Sequence, residues 1–191
     1  MARTVPEVEA AVQAWRRAVP RGRAPEAILQ HGLRLARLVR AAATEADAAA
    51  LRALAVAAVL HEIGLFVQDR GHFVARGARW VAIHLDEILT QPSQEERQLT
   101  GELILFQRHR GPLPGGVARP QLVDRFRQVE QWERRGGPPP TGLRADDLAA
   151  AQLEYPPGVA FPAALQRAER AEWLRHPLLT RRIHRIRRPD R

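Results

Sequence analysis

Apolar residues recur at spacings of three and four along almost the whole chain, and no run alternates apolar with polar as a half-buried strand would. The stretch VPEVEAAVQAWRRAV predicts a first helix opened by Pro6. PEAILQHGLRLARLVRAAA predicts a second, with Pro25 near its first turn and Ile28, Leu29, Leu33, Leu35, Leu38 and Val39 on its apolar side. TEADAAALRALAVAAVLHEIG predicts a third, in which Thr44 and Asp47 resemble a capping box and Gly64 is placed as a stop. VARGARWVAIHLDEIL and SQEERQLTGELILFQRH follow, the latter capped by Ser93. RPQLVDRFRQVEQWERR and a last helix, FPAALQRAERAEWLRH, complete the set, and GPLPGG and GGPPPTG break the chain between helices.

This pattern predicts one all-α domain over residues 1–191. Its compact core spans about 24–135, a C-terminal helical segment of about 143–180 packs on that core, and a basic tail occupies 181–191. The longest apolar stretch is interrupted by Arg52 and reads as too short for a bilayer, and the N-terminus has no apolar signal core. A cytoplasmic location with no membrane partner is the expectation.

Composition narrows the chemistry. With no cysteine, any metal must sit on imidazole and oxygen ligands. The net charge of +9, carried entirely by arginine on the basic side, suits a small anionic partner. Nucleic acid is not expected, since no binding motif accompanies the charge, and a homodimer stays open. No glycine-rich phosphate loop follows a strand, HLDE at 84–87 lacks a second histidine, and Ser93, the only serine, sits at a cap.

The candidate site comes from helix register. If the second and third helices form an antiparallel hairpin, residues equidistant from the turn lie side by side. The point midway between positions 31 and 61 is 46, inside the predicted break AATEAD. His31 and the His61–Glu62 pair should therefore sit level on helices about 8–10 Å apart, close enough to share one ion. A further carboxylate must come from elsewhere. Glu130, four residues after Phe126, lies near the apolar side of its helix, and is favoured over Asp124, which should face another way.

This set resembles the HD-domain superfamily of metal-dependent phosphohydrolases, whose members carry a His, an adjacent His–Asp pair and a later Asp on a helical bundle. QHGLRLARLV matches the first position, including an arginine three residues on (Arg34); AAVLHEIG matches the pair; LVDRFRQVEQW resembles the helix bearing the last acid, at Glu130. A subgroup of small bacterial members is similar further along, in the His176–Pro177–Leu178 ending and in LILFQRHRG, which usually carries paired histidines. This chain departs from the pattern at three points: Glu62 and Glu130 stand where the family has Asp, and the paired-histidine position reads Arg108–His109. Each longer carboxylate reaches about 1.5 Å farther from its backbone.

The resemblance implies a divalent metal ion (Mn, Fe, Zn, Ni, Co or Mg) on His31, His61, Glu62 and Glu130, with Glu62 also able to take a proton. His109 is then a candidate general acid or further ligand. Arg34, Arg108 and Arg110 are candidates to neutralise phosphate, and His72 is a candidate for the pocket because relatives often carry a histidine there. The implied activity is hydrolysis of a small phosphorylated compound such as a nucleotide. The alternatives are a degenerate, non-catalytic binding or regulatory protein, and an HD-type hydratase or lyase on a non-phosphate substrate.

Overall fold

A computed structural model describes residues 5–69, 71–156 and 160–175. Those residues form eight helices, with no strand among them: α1 (Pro6–Ala18), α2 (Arg23–Ala42), α3 (Ala48–Leu60), α4 (Phe73–Ile88), α5 (Gln94–Phe106), α6 (Pro120–Arg135), α7 (Ala145–Glu154) and α8 (Ala160–Arg175), plus a 3-10 turn at Ile63–Leu65. The all-α expectation therefore stands.

The axis of the fold is α3. Every residue from Ala53 to Leu60 is buried, and a helix apolar all round must be covered all round. Burying Leu54, Val56, Val59 and Leu60 contributes about 1.5–3 kcal/mol each, and the intervening alanines let α1, α2 and α5 approach closely. Arg52, the one charge within α3, lies at its edge and reaches Thr90 O (2.9 Å), Glu96 (3.3 Å) and Glu7 (3.7 Å).

Two expectations about this segment are corrected. Ala48–Leu65 is long and apolar enough by composition for a membrane span, yet 78% of it is buried inside the fold, as the core helix of a globular domain would be. The N-cap of α3 is Asp47, whose carboxylate accepts from Ala50 N at 2.8 Å; Thr44 stays in the turn.

Gly64 has a different task from the one its sequence position implied. Helix α3 ends at Leu60 with His61 at its C-cap, and Gly64 sits in the 3-10 turn under the start of α4. A Cβ there would lie 1.8 Å from Phe73 O and 2.7 Å from Gly77 N. The glycine thus permits backbone contact between the turn and α4.

In the C-terminal segment, α7 and α8 lie against α2. Helix α7 falls within the helical segment expected at about 143–180, but periodicity does not distinguish it there as a separate helix. It is short, and Ala151 is its only buried residue, so it carries almost no apolar stripe. Its alanines and the first-turn Asp146 and Asp147 were the available signal. The tail at 181–191 and His176–Leu178 lie outside the described residues.

Candidate metal centre

His31 lies in α2 and His61 caps α3, across a turn at residues 43–47. The helices run antiparallel in the expected register: a Cβ on Gly32 would sit 3.0 Å from Ala58 O and Val59 O, so the two backbones nearly touch one residue away from His31. That contact leaves the imidazole rings 5.2 Å apart between centroids, at 63°. Both are fully buried. Phe161 of α8 stacks on His31 at 4.0 Å, and Phe126 of α6 meets His61 edge-on at 6.3 Å.

The tautomer of His61 is fixed by its backbone. Nδ1 is 2.7 Å from Ala58 O, and because a carbonyl only accepts, Nδ1 carries the proton and Nε2 presents a lone pair. That nitrogen has no hydrogen-bond partner. Neither nitrogen of His31 has a good one either; Nδ1 stands 3.5 Å from Glu133 Oε1, beyond a normal hydrogen bond. Burial pushes His61 down to about 3 and lowers His31 as well, against the opposing pull of Glu133. Both imidazoles are neutral near pH 7, the state in which they can ligate a cation.

Glu130 completes the group. One ligand atom from each of His31, His61 and Glu130 lies within 4.8 Å of the others, and all three residues are buried. Burial pushes the Glu130 carboxyl up to about 7, with Arg134 only partly offsetting it. Asp124 is exposed and pairs with Arg127 at 2.7 Å, so of the two acids weighed on α6 it is Glu130 that faces the histidines, with Glu133 beside His31.

Glu62 is adjacent to this triad and outside it. Its Oε1 is 3.7 Å from His61 Nε2 and accepts from Arg108, while Oε2 has no partner. Burial opposes ionisation of Glu62, but Arg108, with His61 and Arg134, holds its carboxyl below the usual range. Arg108 also pairs with Glu169 at 2.6 Å and lies 4.7 Å over the Phe73 ring. Arg134 reaches Glu130 at 3.2 Å, Glu169 at 3.3 Å and Glu62 at 3.7 Å.

The remaining candidates are distributed around this core. Arg34 is buried and committed to Glu133 and to the carbonyls of Tyr155 (3.0 Å) and Pro156 (3.2 Å). It ties α2 to α6 and to the end of α7. His72 caps α4, accepting from Val74 N at 3.4 Å. Arg108, His109 and Arg110 line a cleft of about 620 Å³, with Arg127, Arg134, Arg135 and, at its floor, the buried Glu130. His109 is exposed, with Nε2 3.1 Å from Pro112 O.

Four participants escaped the sequence reading: Glu133, Arg134, Glu169 and Phe161. The first two stand three and four residues after Glu130, on the same side of α6, and that spacing was readable. Glu169 and Phe161 come from α8, which no sequence spacing connects to α2 or α6. No protein family, curated protein or solved structure matches the chain.

Proposed function

We propose that this chain is a metal-dependent hydrolase of the HD type that acts on a small phosphorylated compound, nucleotides included. The observation that supports it most is the set of buried donor atoms without partners on His31 and His61, level with Glu130 at the floor of an arginine-lined cleft. An unpaired polar atom in a core costs about 1–3 kcal/mol, so several together need a reason. A divalent cation would engage one nitrogen of each histidine together with a Glu130 oxygen. Imidazole nitrogen and carboxylate oxygen suit Mn, Fe, Zn, Ni or Co, and the Ala58 carbonyl on His61 Nδ1 orients that ring as a ligating histidine requires.

His31, His61 and Glu130 would hold the ion, with Glu62 beside it as a fourth ligand and second carboxylate once released by Arg108. Bound there, a divalent ion supplies Lewis acidity toward water and toward a phosphoryl oxygen. The protein does the rest. Phe161 and Phe126 keep bulk water off the histidines. Glu62, ionised and with Oε2 unpartnered, is placed to accept a proton. Arg110 and Arg135 make no ion pair among the described residues and offer their charge to an anion in the cleft. His109, on the same rim, is the group available to protonate a leaving oxygen.

A specific observation favours a second reading, a non-catalytic relative. Arg108 and Arg134 already neutralise Glu62 and Glu130, as internal cations would in a centre that had lost its metal. Phosphate release from nucleotides and p-nitrophenyl phosphate, without metal and with manganese, iron, zinc, nickel or cobalt in turn, separates the two. Manganese-dependent turnover that disappears in His61→Ala supports the hydrolase; no turnover with any of the five metals supports the binding protein.

A further inference from the structure

We infer that Arg108 and Arg134 are resident counter-ions of the metal centre, and that a phosphate-type dianion in the cleft draws them outward so that anion and metal each tighten the other's binding. The inference rests on the metal-binding reading above and adds a regulation of that site.

Both guanidiniums are shared between the buried centre and the cleft. Arg108 bonds Glu62 through Nη2 and Glu169 through Nη1, and Arg134 spans Glu130, Glu62 and Glu169. Glu62 and Glu130 are 0% and 3% exposed, whereas the arginine side chains keep 21% and 22% exposure and line the cleft. From inside to outside the order is therefore histidines and acids, then guanidiniums, then open cleft.

Charge balance couples the two binding events. Glu62, Glu130 and Glu169 face Arg108 and Arg134, so the centre is close to balance with no metal. A divalent ion among His31, His61 and Glu130 adds two positive charges beside two guanidiniums, and the carboxylates it needs are already engaged. Repulsion and competition both weaken its binding. A dianion in the cleft offers each arginine a replacement partner of the bidentate kind it favours, with Arg110, Arg127 and Arg135 alongside. Moving the guanidiniums to that anion frees Glu62 and Glu130 for the metal, and the dianion cancels the charge the metal brings. Coupling of this kind is reciprocal, so the metal must strengthen anion binding by the same factor.

The test is calorimetric titration of the full chain with manganese chloride, with and without inorganic phosphate, chloride being matched in ionic strength and phosphate kept below the precipitation limit. Phosphate should tighten manganese binding at least about fivefold, the lower end of usual coupling, and manganese should tighten phosphate by the same factor. Arg134→Gln should bind manganese more tightly than wild type without phosphate and lose most of the phosphate dependence. A merely structural Arg134 predicts the opposite sign, weaker manganese binding in both conditions, and that result overturns the assignment. Should Arg134→Gln fail to fold, the two wild-type titrations decide alone. Manganese affinity that is unchanged or lowered by phosphate overturns the coupling and leaves the metal reading standing. Absence of manganese binding in both conditions overturns both.

Discussion

Gly64→Ala and Gly101→Ala are the same chemical change and should act with opposite signs. At Gly64 the new methyl would sit 1.8 Å from Phe73 O, about 1.6 Å inside the 3.4 Å at which ordinary contact begins, and every near atom is backbone. Relief requires the first turn of α4 to move as a unit. Overpacking alone costs about 1–3 kcal/mol. The same movement strains the bonds that Arg76 donates to Gly64 O at 2.6 and 3.1 Å, and a hydrogen bond to a charged group contributes about 1.5–3 kcal/mol. The sum is a loss of roughly 2.5–6 kcal/mol. For a chain of this size, at about 2–4 °C per kcal/mol, Tm should fall by roughly 5–24 °C. At Gly101, inside α5, a Cβ meets nothing within 4 Å. Only helix propensity changes, by about 0.8–1 kcal/mol in favour of alanine, so Tm should rise by roughly 2–4 °C. Thermal unfolding followed by circular dichroism at the helix band reads both. Shifts of the same sign, or a Gly64→Ala protein that melts with wild type, would refute the packing of the 3-10 turn against α4.

Three further outcomes are expected. Arg76→Met should cost about 3–5 kcal/mol in urea unfolding, because Glu172, 3% exposed and 2.7 Å from Arg76, is left a buried unpaired charge; adding Glu172→Leu should recover most of the loss. In metal-free protein, Glu130→Gln should leave stability at pH 5 nearly unchanged and raise it at pH 8. A folded pKa raised from 4.5 to about 7 means the folded state holds the extra proton between those values, so wild type loses stability as pH rises through that window, by on the order of 3 kcal/mol. Arg110→Ala with Arg135→Ala should weaken inorganic phosphate binding about tenfold, a single charge-assisted contact's worth, with Tm unmoved since both side chains are exposed.

What could be read from the sequence was whatever depends on register along one or two helices. Equal distance from a turn placed His31 beside His61, and the offset of four from Phe126 placed Glu130 toward the core. Both are local arithmetic on a 3.6-residue period. The close approach that makes the histidines meet depends on Gly32 facing the Ala58 and Val59 carbonyls, a contact that no periodicity reveals. The electrostatics were hidden for a similar reason. Arg34 was visible as a charge near the site, but its partners Glu133, Tyr155 and Pro156 are about a hundred residues or more away along the chain. The same holds for Arg108, which looked like a group for substrate phosphate and is held by Glu62 and Glu169. Helix α7 failed to register because it buries one alanine, and amphipathic periodicity needs a stripe to detect.

The central claim is that His31, His61 and Glu130 hold a divalent ion. Its most direct test is the metal content of wild-type and His61→Ala protein, dialysed side by side against manganese and measured by mass spectrometry of the elements, with helical content checked on the same samples. One ion per chain is expected in wild type and almost none in the variant, at equal helical content. Equal metal in both proteins, or none in wild type, would contradict it.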